Sequence, residues 1–260
     1  MTKGPGTEGS VTERFVTERA ILVQNLCGGF ADLVLFDDFS FSCAAGRTSV
    51  LLGPSGCGKT TLLNLLAGLL APESGTLLVH GLPAGEARVS YLFQQPRLLP
   101  WLTVEQNLDF VLSPDIPRRE RQARIREHLR QVSLEDAAGK YPGGLSGGMA
   151  QRAAMARAFC FESEALLMDE AFQGLDLPLK FSLIASFQAL MTRRPKTTLF
   201  VTHDIREALL VGDDIFVLSQ PPARIVFSLA NPVPRSMRSP DCADFPHLEK
   251  DLFEALKPAP

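Results

Sequence analysis

The sequence contains no run of apolar residues long enough to cross a bilayer, which takes about 18 consecutive residues. Its longest candidate, TTLLNLLAGLLAP, is shorter than that and is typical of a buried helix. The first residues, MTKGPGTEGSVTER, lack the apolar segment of a secretory signal peptide. These absences predict a soluble protein that reaches any membrane only through partner subunits.

Cysteine is scarce, and positive charge is not in excess. The chain has 260 residues but only 5 cysteines, which are scattered, so the sequence argues against a disulfide framework and favours a reducing compartment. The formal net charge is -3, which provides no overall positive field for nucleic acid. What is present is an ordinary globular composition without repeats, 45% hydrophobic and 21% charged.

Short apolar runs alternate with helical patterns along most of the chain. Runs such as GRTSVLLG, EALLMDE and KTTLFVTHD are typical of buried strands, and each precedes a helical segment. This alternation predicts an α/β sheet. Between about residues 96 and 160 the pattern is purely helical, which predicts a helical subdomain lying beside the sheet.

Local signals predict several boundaries. Thr103, followed three residues later by Gln106, predicts a capping box, and Pro117 is expected at the first position of the next helix. The chain is predicted to comprise a flexible tail at residues 1–18, a domain at 19–230 and an extension at 231–260. In that extension, NPVPRSMRSPDCADFP is expected to be a linker before a final amphipathic helix.

The stretch GPSGCGKT fits the pattern G-x-x-x-x-G-K-[ST] and lies between a buried strand and an apolar helix. Its glycines allow backbone N–H groups to converge on an anion, and the following helix directs the positive end of its dipole there. Lys59 is predicted to reach the β- and γ-phosphates of a nucleotide, and the Thr60 hydroxyl to bind Mg²⁺. The predicted nucleotide site consists of Gly53, Pro54, Ser55, Gly56, Cys57, Gly58, Lys59, Thr60 and Thr61.

Cys57 occupies a variable position of this loop. A small residue that fits the turn is the interpretation favoured over a catalytic role. Because the residue lies near a helix N-terminus, its thiol pKa is predicted to be lowered, which would make it reactive towards thiol reagents.

Polar side chains follow three of the predicted buried strands. Asp169 and Glu170 end EALLMDE; one carboxylate is well placed to hold Mg²⁺ opposite Thr60, and the next to polarise a water molecule. Without the phosphate loop, a solvated turn would be the better interpretation. His203 follows TTLFVT and Gln94 follows RVSYLF, and for each of these a structural role and a contact with phosphate or metal stay open.

A second glycine-rich helix start, LSGGMAQR, includes Ser146 as a candidate N-cap. Alone it would indicate an ordinary helix. Together with GPSGCGKT, LFQQ, LLMDE, GLD and VTHD in the same order, it makes the sequence resemble the ATP-binding subunits of ABC transporters. The resemblance covers about residues 20–229.

The resemblance implies a P-loop NTPase core of the RecA type, with an antiparallel β subdomain and the inserted helical subdomain. In that family LSGGMAQR is the signature, and the helix that it begins is the signature helix. Two subunits meet head to tail, and ATP with Mg²⁺ lies between the phosphate loop of one and the signature helix of the other. The second glycine-rich helix start is therefore expected to bind the γ-phosphate of the partner's nucleotide.

Further roles follow by position from the resemblance. Glu170 matches the general base, His203 the γ-phosphate switch, and Gln94 the residue that senses the metal and couples to the membrane subunits. Phe30, in GGFADLVLF, matches the aromatic residue that stacks on adenine, with a core position as the alternative. The implied metal site consists of Thr60, Gln94 and Asp169. The residues implied to act across the dimer are Ser146, Gly147, Gly148, Gln151 and Asp176.

The sequence departs from the family pattern at three positions. Ala171 replaces the usual proline after the base, Gln173 replaces a small residue, and Ala150 replaces a polar residue of the signature. None of these changes removes a functional side chain. Ala171 and Gln173 lie where packing orients the Glu170 side chain, so they are expected to affect the rate of ATP hydrolysis.

Two stretches narrow the kind of transporter. FQQPRLLPWLTVEQN and VTHDIREALLVGDDIFVLSQPPARIV resemble the ATPases of importers for nitrate, sulfonates and taurine. Importers of thiamine precursors are the main alternative, followed by an exporter ATPase. The implied partners are a second copy, integral-membrane permease subunits and, indirectly, an extracytoplasmic solute-binding protein. The expected location is the cytoplasmic face of the inner membrane.

Other function classes fit less well. Soluble ABC proteins of repair or translation usually carry two ATPase units or long coiled-coil insertions, and a small-molecule P-loop kinase would lack LSGGMAQR. The arginine-rich RRERQARIREHLR also contains Glu120 and Glu127, which favours a solvated helix face over a nucleic-acid or lipid site.

Overall fold

The computed structural model describes residues 19–30 and 33–257, and the predicted tail at residues 1–18 lies outside this part of the chain. The strands, in chain order, are β1 (Arg19–Phe30), β2 (Leu33–Ala44), β3 (Thr48–Leu52), β4 (Ser74–Val79), β5 (Leu82–Pro83), β6 (Val89–Leu92), β7 (Ala165–Asp169), β8 (Thr197–Thr202), β9 (Asp214–Leu218) and β10 (Ile225–Ala230). The helices are α1 (Lys59–Leu66), α2 (Val104–Asp109), α3 (Arg118–Gln131), α4 (Gly147–Cys160), α5 (Leu177–Arg193), α6 (Ile205–Val211) and α7 (Phe245–Leu256). None of these helices combines the length and the apolar character needed to cross a bilayer.

The central sheet has six strands in the order β10-β9-β3-β8-β7-β6. All neighbouring strands are parallel except β9 and β10. Parallel neighbours need crossover connections, and α5 supplies the one from β7 to β8. Helix α6 leads from β8 to β9, which lies on the other side of β3. Leu52 pairs with Thr202, and Asp169 pairs with Val201. The loops that follow β3, β7 and β8 therefore lie side by side at one edge of the sheet.

Both faces of this sheet are covered by apolar side chains. Val50, Leu166 and Phe200 belong to a core layer shared with α4 to α7. Their neighbours Leu51 and Leu167 belong to a second layer, shared with α1 and the first strands. Each fully buried side chain of this kind contributes about 1.5–3 kcal/mol. Burial on both faces explains why these strands are continuous apolar runs, and the predicted α/β fold is confirmed.

A second, antiparallel sheet has the strand order β2-β1-β4-β5. Its strand β1 buries Ile21, Val23 and Leu26 against the layer that contains α1. This sheet is the antiparallel β subdomain implied by the resemblance, and it brings the end of β1 near the start of α1.

Between residues 96 and 160, the regular elements are α2, α3 and α4 with two short 3-10 turns, Glu135–Ala137 and Pro142–Gly144. The capping box at Thr103 is confirmed, because its hydroxyl accepts from the N–H of Gln106 and its own N–H donates to the Gln106 side chain. Pro117 is the N-cap of α3 rather than its first residue. Its ψ of 138° keeps it extended, so the helix begins one residue later than predicted.

The proline-rich stretch after β10 is held against the core, which corrects its prediction as a linker. Arg238 is buried and donates to Asp213 Oδ1 at 2.9 Å, and Arg235 pairs with the same carboxylate. The Thr48 N–H donates to Asp213 Oδ2 at 2.8 Å. Removing one partner of a buried ion pair costs about 3–5 kcal/mol, so these contacts anchor the stretch. The helix α7 that follows buries Phe245, Leu248 and Leu252.

Candidate functional site

The phosphate loop joins β3 to α1 in a conformation that requires glycine. Gly56 and Gly58 have φ values of 82° and 98°, in the left-handed region that other residues rarely adopt. A Cβ on Gly58 would also lie 2.8 Å from the ring of Phe36. Helix α1 begins at Lys59, directly after this turn, so the positive end of its dipole faces the loop. The loop thus has the backbone geometry of an anion site.

Lys59 is buried beneath the loop. Its Nζ donates to the carbonyl oxygens of Gly53 and Pro54, both at 2.7 Å. These two bonds hold the ammonium group against the backbone of the loop. A buried cation and the N–H groups of the loop together suit a polyphosphate.

The predicted reactivity of Cys57 is wrong. Burial raises the pKa of its thiol, and this effect outweighs the opposing influence of Lys59. The side chain is fully buried, and its Sγ lies 3.2 Å from the position that a Cβ on Gly53 would take. Cys57 is therefore a small packing residue within the loop.

Thr60 and Asp169 meet where the metal site is predicted. The Thr60 hydroxyl donates to Asp169 Oδ1 at 2.9 Å, and the Tyr91 hydroxyl donates to Oδ2 at 3.4 Å. Burial raises the pKa of Asp169; the hydrogen bond from Thr60 offsets part of this shift, and the charge of Glu170 adds to it. Hydroxyl and carboxylate oxygens are ligands that Mg²⁺ accepts, with water and phosphate oxygens completing its shell. The residues present therefore fit Mg²⁺.

Glu170 directly follows β7 and faces His203, with 3.2 Å between its Oε1 and the imidazole Nδ1. Its φ of 46° lies in the left-handed region, which costs a residue other than glycine about 1–3 kcal/mol. Its N–H donates to the carbonyl of Val201 in β8 at 3.0 Å, which anchors the strained residue. Backbone strain of this kind clusters at functional sites. The carboxylate is only partly buried, so water has access to it.

Gln94 contacts one of the residues that depart from the family pattern. Its Nε2 donates to Gln173 Oε1 at 2.8 Å. Gln151 donates to the carbonyl oxygens of Gln94 at 3.1 Å and Ala171 at 2.7 Å. Gln151 is therefore buried and bonded within its own copy rather than presented on the surface. Through it, the signature helix α4 holds both the loop of Gln94 and the backbone next to Glu170.

The signature begins α4, and its two glycines have different surroundings. Ser146 caps the helix as predicted, accepting from the N–H of Met149 at 3.3 Å. A Cβ on Gly147 would meet no atom within 4 Å, whereas a Cβ on Gly148 would lie 2.4 Å from Leu179 Cδ1. Gly147 thus leaves an open surface at the helix N-terminus, while Gly148 allows close packing against α5. Among the hydrogen bonds of the described residues, none joins the signature to the phosphate loop of the same copy.

Alanine substitutions are expected to separate the two glycines. Gly147→Ala should leave the Tm unchanged, because the added methyl group meets nothing within the copy. Gly148→Ala should lower the free energy of unfolding by about 1–3 kcal/mol through overpacking. In a Leu179→Ala background the same substitution should cost little. Thermal or urea unfolding of the four variants measures this, and equal losses for the two single glycine variants would contradict the assignment.

Phe30, predicted to stack on adenine, ends β1 with 55% of its surface exposed. This exposure is inconsistent with the alternative of a core residue. The ring lines a cavity together with Thr61 and Glu73, and the Gly29 N–H donates to Glu73 Oε1 at 3.1 Å. Phe30 and Thr61, which are both predicted to bind the nucleotide, therefore line the same cavity.

Asp176 is exposed and caps α5, accepting from the N–H of Leu179 at 2.9 Å. Three residues near the site were not identified from the sequence. Phe36 packs against the phosphate loop, Tyr91 contacts Asp169, and Lys180 contacts Asp204 in the turn after His203. Only Lys180 has a local signal, since it lies one helical turn after Asp176. The other two contacts join residues far apart in the sequence and leave no pattern in it.

Known proteins are similar in sequence to most of this chain. The ABC transporter family model matches residues 36–173. The taurine import ATP-binding protein TauB of Chromobacterium violaceum is 41% identical over 210 residues, covering 80% of this chain and 80% of that protein. The aliphatic sulfonates import ATP-binding protein SsuB 1 of Mesorhizobium japonicum is 34% identical over 238 residues, covering 92% of this chain and 89% of that protein.

A solved structure has the same fold. The dimeric structure of the ATP-binding cassette MJ0796, bound to ADP and Pi, gives a TM-score of 0.70 at 26% identity and covers 82% of this chain and 99% of that chain. The RecA-like core, the antiparallel sheet and the helical insertion are thus confirmed. Because the family model spans more than half of the sequence and both relatives cover at least four fifths of it, this chain belongs to the ABC transporter family and is an ATPase of that family.

Proposed function

We propose that this chain is the ATP-hydrolysing subunit of an importer for sulfonates such as taurine, or for a related small solute such as nitrate. The observation that carries the proposal is the meeting of the phosphate loop, the Thr60–Asp169 pair and the Glu170–His203 pair at one edge of the sheet. The two relatives named for taurine and aliphatic sulfonate import support the choice of solute.

The proposed reaction is in-line attack of water on the γ-phosphorus of ATP, which breaks its bond to the bridging β-phosphate oxygen and releases ADP and phosphate. Lys59 and the N–H groups of the loop bind the phosphates. Thr60 and Asp169 would hold Mg²⁺, with Gln94 as a further contact. Bound Mg²⁺ supplies charge neutralisation at the phosphate oxygens. The Glu170 carboxylate orients the water and accepts its proton, while the His203 imidazole contacts the γ-phosphate.

A second copy completes the proposed reaction centre. Ser146 caps the helix N-terminus that begins the signature, and Gly147 leaves it open. Asp176 is exposed in the loop that is expected to cross the dimer seam. Two helix N-termini on opposite sides of one polyanion favour its binding, so ATP stabilises the dimer. The dimeric structure of the cassette MJ0796 bound to ADP and Pi supports the pairing of two copies.

Membrane subunits are the proposed second partner. Trp101 has 69% of its surface exposed next to Pro100, so its indole is not packed within the helical subdomain and is accessible to a protein partner, a role in which Trp is enriched. Arg157 of α4 donates to the carbonyl oxygens of Arg97 at 3.0 Å and Pro96 at 3.2 Å, so this segment is tied to the signature helix. We place the ATPase domain at residues 19–230, with the helical subdomain at about 96–160, an extension at 231–260, and the chain on the cytoplasmic face of the inner membrane.

The test reconstitutes the chain with the permease and the solute-binding protein encoded by neighbouring genes. Binding protein loaded with taurine or an alkanesulfonate should stimulate ATP hydrolysis severalfold more than unloaded protein. Stimulation by a thiamine precursor instead would contradict the proposed solute class. A chain that hydrolyses ATP but copurifies with no membrane subunit would contradict the transport role.

Trp101→Ala is expected to reduce copurification with the permease and to leave ATP binding unchanged. Phe253→Ala is the matched control, because Phe253 is also an exposed aromatic residue, with 57% of its surface accessible, but lies on α7. Equal recovery of the permease with both variants would count against the proposed contact.

A further inference from the structure

A largely buried group of one hydroxyl and three charged side chains lies beside the turn that carries His203. Its members, called here the Lys180 cluster, are Thr202, Lys180, Asp204 and Glu207. The Lys180 ammonium group is 2.9 Å from Asp204 Oδ2 and 2.6 Å from Glu207 Oε1. The Thr202 hydroxyl donates to Glu207 Oε2 at 2.7 Å. One cation therefore serves two carboxylates.

Most of the cluster is shielded from water, and Asp204 is its most exposed member, with 34% of its side chain accessible. Only 15% of the Lys180 side chain and 2% of the Glu207 side chain are exposed. Charge-assisted hydrogen bonds are roughly twice as strong as neutral ones, and burial weakens the competition of water for them. Loss of the ammonium group would leave the buried Glu207 carboxylate without its cation, with Asp204 as its charged neighbour.

The cluster holds the turn that carries His203. Thr202 and Asp204 flank this histidine, and the Asp204 N–H donates to Thr202 Oγ1 at 3.1 Å. Asp204 Oδ1 caps α6 by accepting from the N–H groups of Arg206 at 2.8 Å and Glu207 at 3.2 Å. The backbone on both sides of His203 is therefore fixed by groups that Lys180 contacts.

The backbone of Lys180 is bonded to the loop at the expected dimer seam. Lys180 lies in the first turn of α5, and its N–H donates to the carbonyl of Asp176, the N-cap, at 2.9 Å. The loop that ends at Asp176 starts at Glu170, whose carboxylate contacts His203. Lys180 thus closes a ring of contacts from Glu170 through Asp176 to the turn of His203.

We propose that Lys180 is a positioning residue for ATP hydrolysis, which fixes the turn of His203 relative to the loop from Glu170 to Asp176 and so couples the dimer seam to the γ-phosphate switch. The proposal rests on the proposed function, because it presumes that His203 and Glu170 act on ATP.

The test measures kcat, the Kd for ATP and the Tm of three single variants. Lys180→Met is expected to lower kcat by about tenfold and to change the Kd by less than about twofold, since misplacement of a reacting group affects the chemical step most. Lys180→Arg should keep at least half of the activity, because it retains the charge.

The matched control is Lys196→Met. Lys196 is also half-buried, and it donates to the Phe161 carbonyl at 2.7 Å and to Ser163 Oγ at 2.8 Å. It lies at the opposite end of β8 from His203. Its kcat, measured well below the Tm, should stay within twofold of the wild type. A tenfold loss of kcat in this variant would show that any buried lysine has the same effect, and would overturn the proposal.

A double variant separates positioning from stability. Lys180→Met with Glu207→Gln removes the unpaired buried carboxylate, so it should regain Tm relative to Lys180→Met while kcat stays low. If the double variant regained kcat together with Tm, the positioning role of Lys180 would be overturned. A kcat of Lys180→Met within twofold of the wild type would overturn it too, and either result would leave the proposed function intact. A wild-type chain that hydrolyses no ATP would overturn the proposed function and this inference together.

Discussion

Glu170→Gln is expected to lower the kcat of ATP hydrolysis by a factor of about 10²–10⁴, the usual contribution of a general base. The amide has the shape of the carboxylate but cannot take a proton from water. Because Glu170 stands 3.2 Å from His203 and keeps its backbone anchor to Val201, the substitution should leave the surrounding site folded. Steady-state phosphate release with saturating ATP and Mg²⁺ measures the loss.

The same variant is expected to accumulate as an ATP-bound dimer. ATP binding stabilises the dimer by mass action, and dissociation normally follows hydrolysis, which the variant lacks. Size-exclusion chromatography with ATP and Mg²⁺ should show a dimer peak that disappears when ATP is withheld. Glu164→Gln is the matched control, because Glu164 lies at the opposite end of β7 from Glu170. Hydrolysis by Glu170→Gln at the normal rate would refute the assignment of the base.

Lys59→Ala is expected to weaken ATP binding by about 10- to 150-fold, the equivalent of one hydrogen bond from a charged donor to phosphate. The substitution removes the cation held under the phosphate loop, and the oxygens of Gly53 and Pro54 lose their shared donor. Some loss of Tm without nucleotide should accompany it. Titration with a fluorescent ATP analogue measures the Kd.

The control for Lys59→Ala is Lys250→Ala, which removes an exposed lysine from α7 and should change neither Kd nor Tm. If Lys59→Ala bound ATP as tightly as the wild type, the interpretation of this loop as the nucleotide site would have to be abandoned. The two predictions are independent, because one concerns binding and the other the chemical step that follows it.

Local sequence signals predicted the elements well. The capping box at Thr103 and the cap at Ser146 are confirmed, since each depends on side chains within three residues of the helix start. The parallel strands were recognised because burial on both faces makes them short continuous apolar runs. Helix α3 begins one residue later than predicted, because the backbone of Pro117 is not yet helical. Helix propensity does not fix a helix boundary to within one residue.

Predictions failed where distant residues control the environment. The thiol of Cys57 was expected to respond to the helix dipole, but burial by the surrounding fold dominates its pKa. The stretch around Arg238 was expected to be a linker because of its prolines, yet the carboxylate of Asp213 holds it in place. The roles of the site residues stay predictions, which the variants above test, and the domain limits stay predictions as well.

The order and spacing of its motifs determined, without any coordinates, that this chain has a nucleotide-binding α/β fold and belongs among the ABC ATPases. Periodicity and turn chemistry act over a few residues, so the linear sequence records them directly. Tertiary structure alone decided that Gly148 packs on Leu179, that Gln94 bonds to Gln173, and that Lys180 reaches Glu207. Such contacts depend on the order of the strands and on how the helices cross them, and neither is encoded within a local window of residues.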